Sequence, residues 1–203
     1  MRAPKLTKIE RRKAIVDAAA QLFSERGFRG VTTRELAQSV GVTEPVLYEH
    51  FQTKRDLYAA IIDGASRDSF EQARETLRQS ALADEPAAFF TTLATLMVEN
   101  VGRNPSYLRL VLFSALEKHE LAQLCFERHA QSIYSIVIEY LKKRMTSGAI
   151  RRIDPVIAAR LFIGAIHHYC IFELHFGFRI VRASKKRAIA TMVDTFLHGI
   201  HAS

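Results

Sequence analysis

The sequence predicts an all-α chain in two parts, a short three-helix N-terminal unit and a larger helical domain after it. Three observations carry this. Apolar residues recur with the 3.6-residue period of a helix in segment after segment, without the alternation of a half-buried strand. Helix-start chemistry recurs with them, as capping boxes at Thr7/Glu10 and Thr32/Glu35 and as the pairs Asn104-Pro105 and Asp154-Pro155. Gly27, Gly41 and Gly148 stand where those periods stop.

Met1 to Leu6 is a short basic lead carrying Arg2 and Lys5, either a loose chain end or an arm that meets a polyanion. The first helix starts at the Thr7 box, keeps its apolar period through Ile15, Ala18, Ala19, Leu22 and Phe23, and ends at Gly27, with Phe28 free to fold back on the last turn. Arg11, Arg12 and Lys13 near its start are either phosphate contacts or a solvated face.

The second helix starts at about Thr33 and is broken by Gly41; the third takes Thr43 as N-cap, with Pro45 in the first turn, where a missing N–H costs little. Two short helices around a glycine turn make a helix-turn-helix. Leu36, Ala37 and Val40 on one helix, Val42 in the turn, and Val46, Leu47 and Phe51 on the other fall where the two must meet. The third helix then offers Thr43, Glu44, Pro45, Val46, Tyr48 and His50 near its N-terminus, as a recognition helix must if its first turns are to enter a major groove about 12 Å wide.

The run from Ala18 to Leu57, with Leu22-Phe23, Gly27-Phe28, Thr32-Thr33, Leu36-Ala37, Gly41-Val42, Leu47-Tyr48, His50-Phe51 and Lys54, resembles the DNA-binding domain of the TetR (tetracycline-repressor) family of bacterial regulators. Pro45 stands where that family often has glycine, although proline also occurs there. The resemblance implies a DNA-binding domain over residues 1–53 and a helical effector-binding and dimerisation domain over 54–203. Carried onto matching positions, it implies that Thr33, Thr43, Glu44, Pro45, Val46, Tyr48, His50 and Lys54 lie near double-stranded operator DNA. Tyr48, His50 and Lys54 are expected at backbone phosphates and Thr43 to Val46 at bases; Glu44 either accepts from a cytosine amino group or merely lies beside the groove.

Charge agrees with a polyanionic partner. Of the net +8, residues 1–55 hold +5, from 11 Lys/Arg against 6 Asp/Glu, so positive charge is densest around the helix-turn-helix. No run is expected to reach the roughly 18 apolar residues of a membrane span, and the N-terminus has no apolar signal core, so no membrane partner and a cytoplasmic location are expected. Cys125 and Cys170 are too few and too far apart for a disulfide framework or a four-ligand zinc site.

A fourth helix is expected from about Lys54 to Ser80, with Leu57, Ile61 and Ile62 packing on the N-terminal unit and Phe70, Ala73 and Leu77 continuing into the next. Asp84 and Pro86 open a helix through about Val101, Asn104-Pro105 one through about Leu116, and a long helix follows from about Glu120 to Thr146. Asp154-Pro155 starts a helix to about Phe176, and Ser184 caps a last one to about His198.

This domain offers no catalytic constellation, so no enzyme and no cofactor are expected. His168 and His175, seven residues apart with Cys170 between them, begin a metal pattern, but a closed zinc site needs four ligands and the others are not evident; a packing or interface role is the alternative. The resemblance further implies a ligand pocket for a small hydrophobic or aromatic effector, with Phe90, Met97, Phe113, Phe126, His129, Tyr134, Phe162 and His167 as candidate walls; each is otherwise plain core. The last two helices, with small residues at Ala158, Ala159, Gly164 and Ala165 and an apolar face at Ile189, Met192, Val193, Phe196 and Leu197, are either a homodimer seam or buried within the chain. The expected activity is that of a repressor released from a palindromic operator by its effector; an effector-free architectural or partner-controlled DNA-binding dimer is the alternative.

Overall fold

A computed structural model describes residues 7–180 and 182–200, apart from the side chains of residues 65–68. The basic lead at residues 1–6 lies outside the described residues. Among the described residues ten α-helices follow one another: α1 Lys8–Arg26, α2 Thr33–Ser39, α3 Glu44–His50, α4 Lys54–Leu82, α5 Pro86–Arg103, α6 Pro105–Leu116, α7 Glu120–Cys125, α8 Gln131–Thr146, α9 Pro155–Tyr169 and α10 Lys185–Ile200. No strand occurs among the described residues.

Several starts are set by the expected caps. Glu10 and Glu35 N–H groups donate to the hydroxyls of Thr7 and Thr32 at 3.3 and 3.2 Å, while each carboxylate accepts from the threonine N–H at 2.8 Å. Asn104 caps α6 through the Tyr107 N–H, and Asp154 caps α9 through Val156 and Ile157. Asp84 departs from expectation. It sits at φ +64°, and its carboxylate pairs with the buried Arg144 at the end of α8.

Two further departures concern continuity. The expected single helix from Glu120 to Thr146 is α7 and α8 joined by a π-helical turn at Phe126–Ala130, and a second π turn, Cys170–His175, extends α9. Pro155–His175 also corrects the expectation about apolar length. It is a 21-residue helical stretch with a mean hydropathy of 1.4 over 18 residues, long and apolar enough to cross a membrane by length and composition alone. The cause is that α9 is apolar on two faces: Phe162, Ile163 and Ile166 are buried, whereas Val156, Ile157 and Leu161 are exposed.

The chain forms two compact units, residues 1–67 with 104–128, and residues 68–103 with 129–203. This packing division differs from a boundary after residue 53, because α6 packs with α1 and α7 with α6, while α4 contributes residues to both units. In the first unit Ile15, Ala19, Phe23, Leu36, Leu47, Phe51, Leu57 and Ile61 form the interior. In the second, Phe90, Phe162 and Phe196 meet pairwise with ring centroids 4.8–4.9 Å apart, and Phe89 stacks on Tyr140 at 3.9 Å.

Candidate nucleic-acid interface

The geometry of α2 and α3 begins with Gly41. After the C-cap Val40, Gly41 takes φ +68° and its N–H donates to Gln38 at 3.1 Å, while the Val42 N–H reaches back to Ala37 at 2.9 Å. This is a Schellman end, and its left-handed residue favours glycine. The chain reverses there and delivers Thr43 as the N-cap of α3. Leu47 and Phe51 are buried behind α3, each worth roughly 1.5–3 kcal/mol of apolar burial.

The opposite side of α3 is the candidate surface. Thr43, Pro45 and Tyr48 are exposed, and Glu44, Val46 and His50 are half-buried. Thr43 makes no side-chain capping bond, so its hydroxyl is not spent on its own helix. Glu44 is engaged: one carboxylate oxygen accepts from the Thr33 hydroxyl at 2.5 Å, tying α3 to the first residue of α2. Two residues expected beside DNA therefore hold each other. His50, expected at a phosphate, turns its Nδ1 inward, where among the described residues that atom is buried and has no hydrogen-bond partner.

Lys54 is exposed at the first position of α4. Its helix start is built by Thr53 and Asp56, whose hydroxyl and carboxylate exchange hydrogen bonds with each other's N–H groups at 3.1 and 3.0 Å. A cation at the positive end of a helix dipole suits an oxyanion. In α1, Lys13 pairs with Asp17 at 2.5 Å and the Arg12 guanidinium lies 4.7 Å from the centre of the Phe51 ring.

A second feature of this unit had no short-range signal in the sequence. Beyond α6, Glu117 accepts hydrogen bonds from the N–H groups of Phe28 and Arg29 in the turn that leads from α1 to α2, from 89 and 88 residues away. Next to it the His119 ring stacks on Phe28 at 4.1 Å and meets Tyr58 edge-on at 4.5 Å. His119 also caps α7, its Nδ1 accepting from the Leu121 N–H at 3.2 Å. Burial pushes the His119 pKa below 6.5, and Lys54 adds to this against the opposing pull of Glu120 and Glu117. Burial and the Glu120 charge push Tyr58 up to about 12. Arg55 and Glu120 close the contact at 2.8 Å.

The candidate pocket residues do not share one wall. Phe113 and Phe126 belong to the first unit, and the other six to the second. There Phe90 and Phe162 are in the aromatic core, Met97 packs against that core, His129 stacks on Phe70 at 4.4 Å, Tyr134 lies under the Arg160 guanidinium, and His167 is exposed. An open apolar groove of about 640 Å³ runs between α9 and α10, walled by Ile157, Leu161, Phe162, Thr195, Phe196 and Gly199. Of the eight candidates, Phe162 alone lines it. Among the histidines weighed as metal ligands, His168 stacks on Phe172 at 4.3 Å; Cys170 is buried, and burial raises its thiol to about 11.

Comparison with known proteins agrees with this architecture at both ends of the chain. A model of the tetR family of bacterial regulatory proteins matches residues 15–61, and a model of the AefR-like transcriptional repressor C-terminal domain matches residues 88–199. The HTH-type transcriptional regulator YvkB of Bacillus subtilis (strain 168) is 25% identical over 193 residues, covering 94% of this chain and 97% of YvkB. The transcriptional regulator FadR from Bacillus subtilis, solved in complex with stearoyl-CoA, superimposes with a TM-score of 0.67 at 18% identity, over 93% of this chain and 98% of FadR. AibR, solved in complex with isovaleryl coenzyme A and operator DNA, gives 0.59 at 22% identity, over 92% and 97%. With the helix-turn-helix built as described and both family models matched in order, the chain belongs to the TetR family of bacterial regulatory proteins and is a helix-turn-helix transcriptional regulator.

Proposed function

We propose that the protein is a homodimeric repressor in the cytoplasm that leaves a palindromic operator when a small hydrophobic effector binds its helical domain. The observation that carries the DNA half is the outward face of α3, where Thr43, Pro45 and Tyr48 are exposed around Val46 while Leu47 is buried. Thr43, Pro45 and Val46 read bases, Tyr48 and Lys54 hold phosphates, and Thr33 and Glu44 set the angle between the two helices of the motif. Residues 1–53 act as the DNA-binding domain and 54–203 as the domain that binds effector and partner.

One helix-turn-helix holds a short half-site weakly, and two-fold symmetry matched to a palindrome is the usual remedy. The exposed Val156, Ile157 and Leu161 on α9 support a seam through the last two helices, since such residues on a core helix are normally covered. Acyl thioesters are the first effectors to try, because FadR and AibR, which share the fold, were solved with stearoyl-CoA and isovaleryl coenzyme A. Effector binding favours a dimer geometry in which the two α3 helices no longer match successive major grooves, and it must prefer that geometry by a few kcal/mol.

Footprinting the native protein on DNA from its own promoter region tests the DNA half. Two protected half-sites, about one helical turn or a multiple of it apart and related by a dyad, are expected. A single protected half-site, or protection without sequence preference, would contradict the reading.

A further inference from the structure

The exposed apolar surface of α9 does not stop at the end of the helix. From Ile157 and Leu161 it continues at helical spacing through Ala165 and His168 to Phe172 in the second π turn, and then into the segment that follows. There Phe176, Phe178 and Ile180 are 51, 59 and 71% exposed. The three phenylalanines 172, 176 and 178 lie in mutual ring contact at 5.6–5.7 Å, with His168 stacked beneath Phe172.

This aromatic knob is held in shape. The Phe176 and Phe178 N–H groups donate to the carbonyls of Ile171 and Phe172 at 2.8 and 3.0 Å, and the Ile180 N–H donates to the Glu173 carboxylate at 2.8 Å. Gly177 at φ +71° and Arg179 at φ +49° bend the backbone between the exposed side chains. A flexible loop would expose such groups only fleetingly; here the backbone is tied down with its apolar side chains outward.

At the other end of the same helix face lies the α9/α10 groove. Its floor is low because Thr191, Thr195 and Gly199, spaced by four on α10, carry small side chains or none beside Ile157 and Leu161. One end of α9 thus bears an apolar projection and the other an apolar recess. A two-fold axis near Ala165 would exchange those ends between two copies, so that each knob would meet the partner's groove and the contact would close on itself.

We propose that Phe176, Phe178 and Ile180 of one subunit insert into the α9/α10 groove of a second copy of this chain, so that the dimer is locked by two reciprocal aromatic contacts. This rests on the homodimer reading and specifies how the seam is built. The area is of the right order. An aromatic side chain buries roughly 150–250 Å² in full, so the exposed halves of four rings and the groove walls they cover amount to roughly 600–1,000 Å², about half of a standard interface. The small-residue crossing around Gly164 and Ala165 supplies the remainder.

The test uses the full chain in sedimentation analysis and disulfide trapping. The native protein should be a dimer, and F176S/F178S should raise its dissociation constant 10- to 100-fold while helical content holds. Mixing F178C chains with T195C chains under oxidising conditions should give a covalent dimer that neither variant gives alone at equal yield, whereas F178C mixed with S135C should not; the native Cys125 and Cys170 are buried. A monomeric native chain would overturn both the dimer reading and the knob. A dimer whose affinity is unchanged in F176S/F178S, with no F178C–T195C product, would overturn the knob alone.

Discussion

Glu117 accepts a hydrogen bond from the Phe28 N–H at 3.0 Å, so the residue just after α6 holds the turn just before α2. The same carboxylate oxygen takes the Arg29 N–H at 3.1 Å. Gly27 makes room for it, since a Cβ there would meet Glu117 Oε1 and since φ +71°, ψ 177° is backbone that glycine alone adopts readily. Glu117→Ala should cost about 1.5–3 kcal/mol, the loss of charge-assisted bonds to two amides. Gly27→Ala should cost a similar amount by displacing the same carboxylate, and the double variant should fall short of the sum. Urea unfolding of the four proteins checks this; additive losses would show that the two residues act separately.

His119 gives the same contact a pH dependence. Its folded pKa lies below 6.5, so the native state holds the neutral ring and the unfolded chain takes up the proton first as pH falls. Stability from this group is therefore complete above about pH 6.5 and is lost progressively below it, as the ring stacked on Phe28 and accepting from Leu121 is driven to its charged form. His119→Asn keeps an acceptor at the α7 N-cap and removes the titration. Between pH 8 and 5.5 the unfolding temperature should drop less in this variant than in the native protein, and an equal drop would assign the effect to other groups.

Thr33 and Glu44 should be coupled. Each was expected to reach DNA, yet they meet at 2.5 Å across the turn. Thr33→Val, Glu44→Gln and the double variant form a cycle in which a coupling of about 0.5–3 kcal/mol is expected in stability. Operator affinity should fall by a similar factor in each single variant. Strict additivity would return both residues to independent roles at the groove.

Lys54 and Val46 should separate affinity from specificity. Lys54→Ala should weaken binding to all sequences and reduce the slope of log affinity against log salt by about 0.9, the contribution of one phosphate contact. Val46→Ala should leave the slope intact and change the preferred operator sequence. Titrations at several salt concentrations on operator and scrambled DNA decide this; an unchanged slope in Lys54→Ala would remove that phosphate contact.

What the sequence made legible was local chemistry. The boxes at Thr7 and Thr32 and the caps at Asn104 and Asp154 work within a few residues, so helix starts could be placed from the chain alone. The helix-turn-helix was legible because Gly41, Leu36 and Leu47 act over one short stretch. Glu117 reaching Phe28 was not, because no periodicity records a bond across 89 residues. The π turns were not, since one extra residue per turn leaves the apolar pattern of Glu120 to Thr146 readable as plain helix. Phe90 and Phe162 show why pocket walls resist sequence reading: a large aromatic residue on a helix looks the same whether it faces a cavity or, as here, two other rings.

The most direct test of the account is a fluorescence-anisotropy titration of the native protein against labelled DNA from its own promoter region, repeated with a panel of acyl-CoA thioesters and hydrophobic compounds. Saturable, sequence-specific binding that at least one compound weakens by more than about tenfold, a shift of about 1.4 kcal/mol, is expected. Specific binding that no compound changes would contradict ligand release and favour an effector-free DNA-binding dimer, and binding with no preference for the promoter DNA would contradict the assignment of α3 as a reading helix.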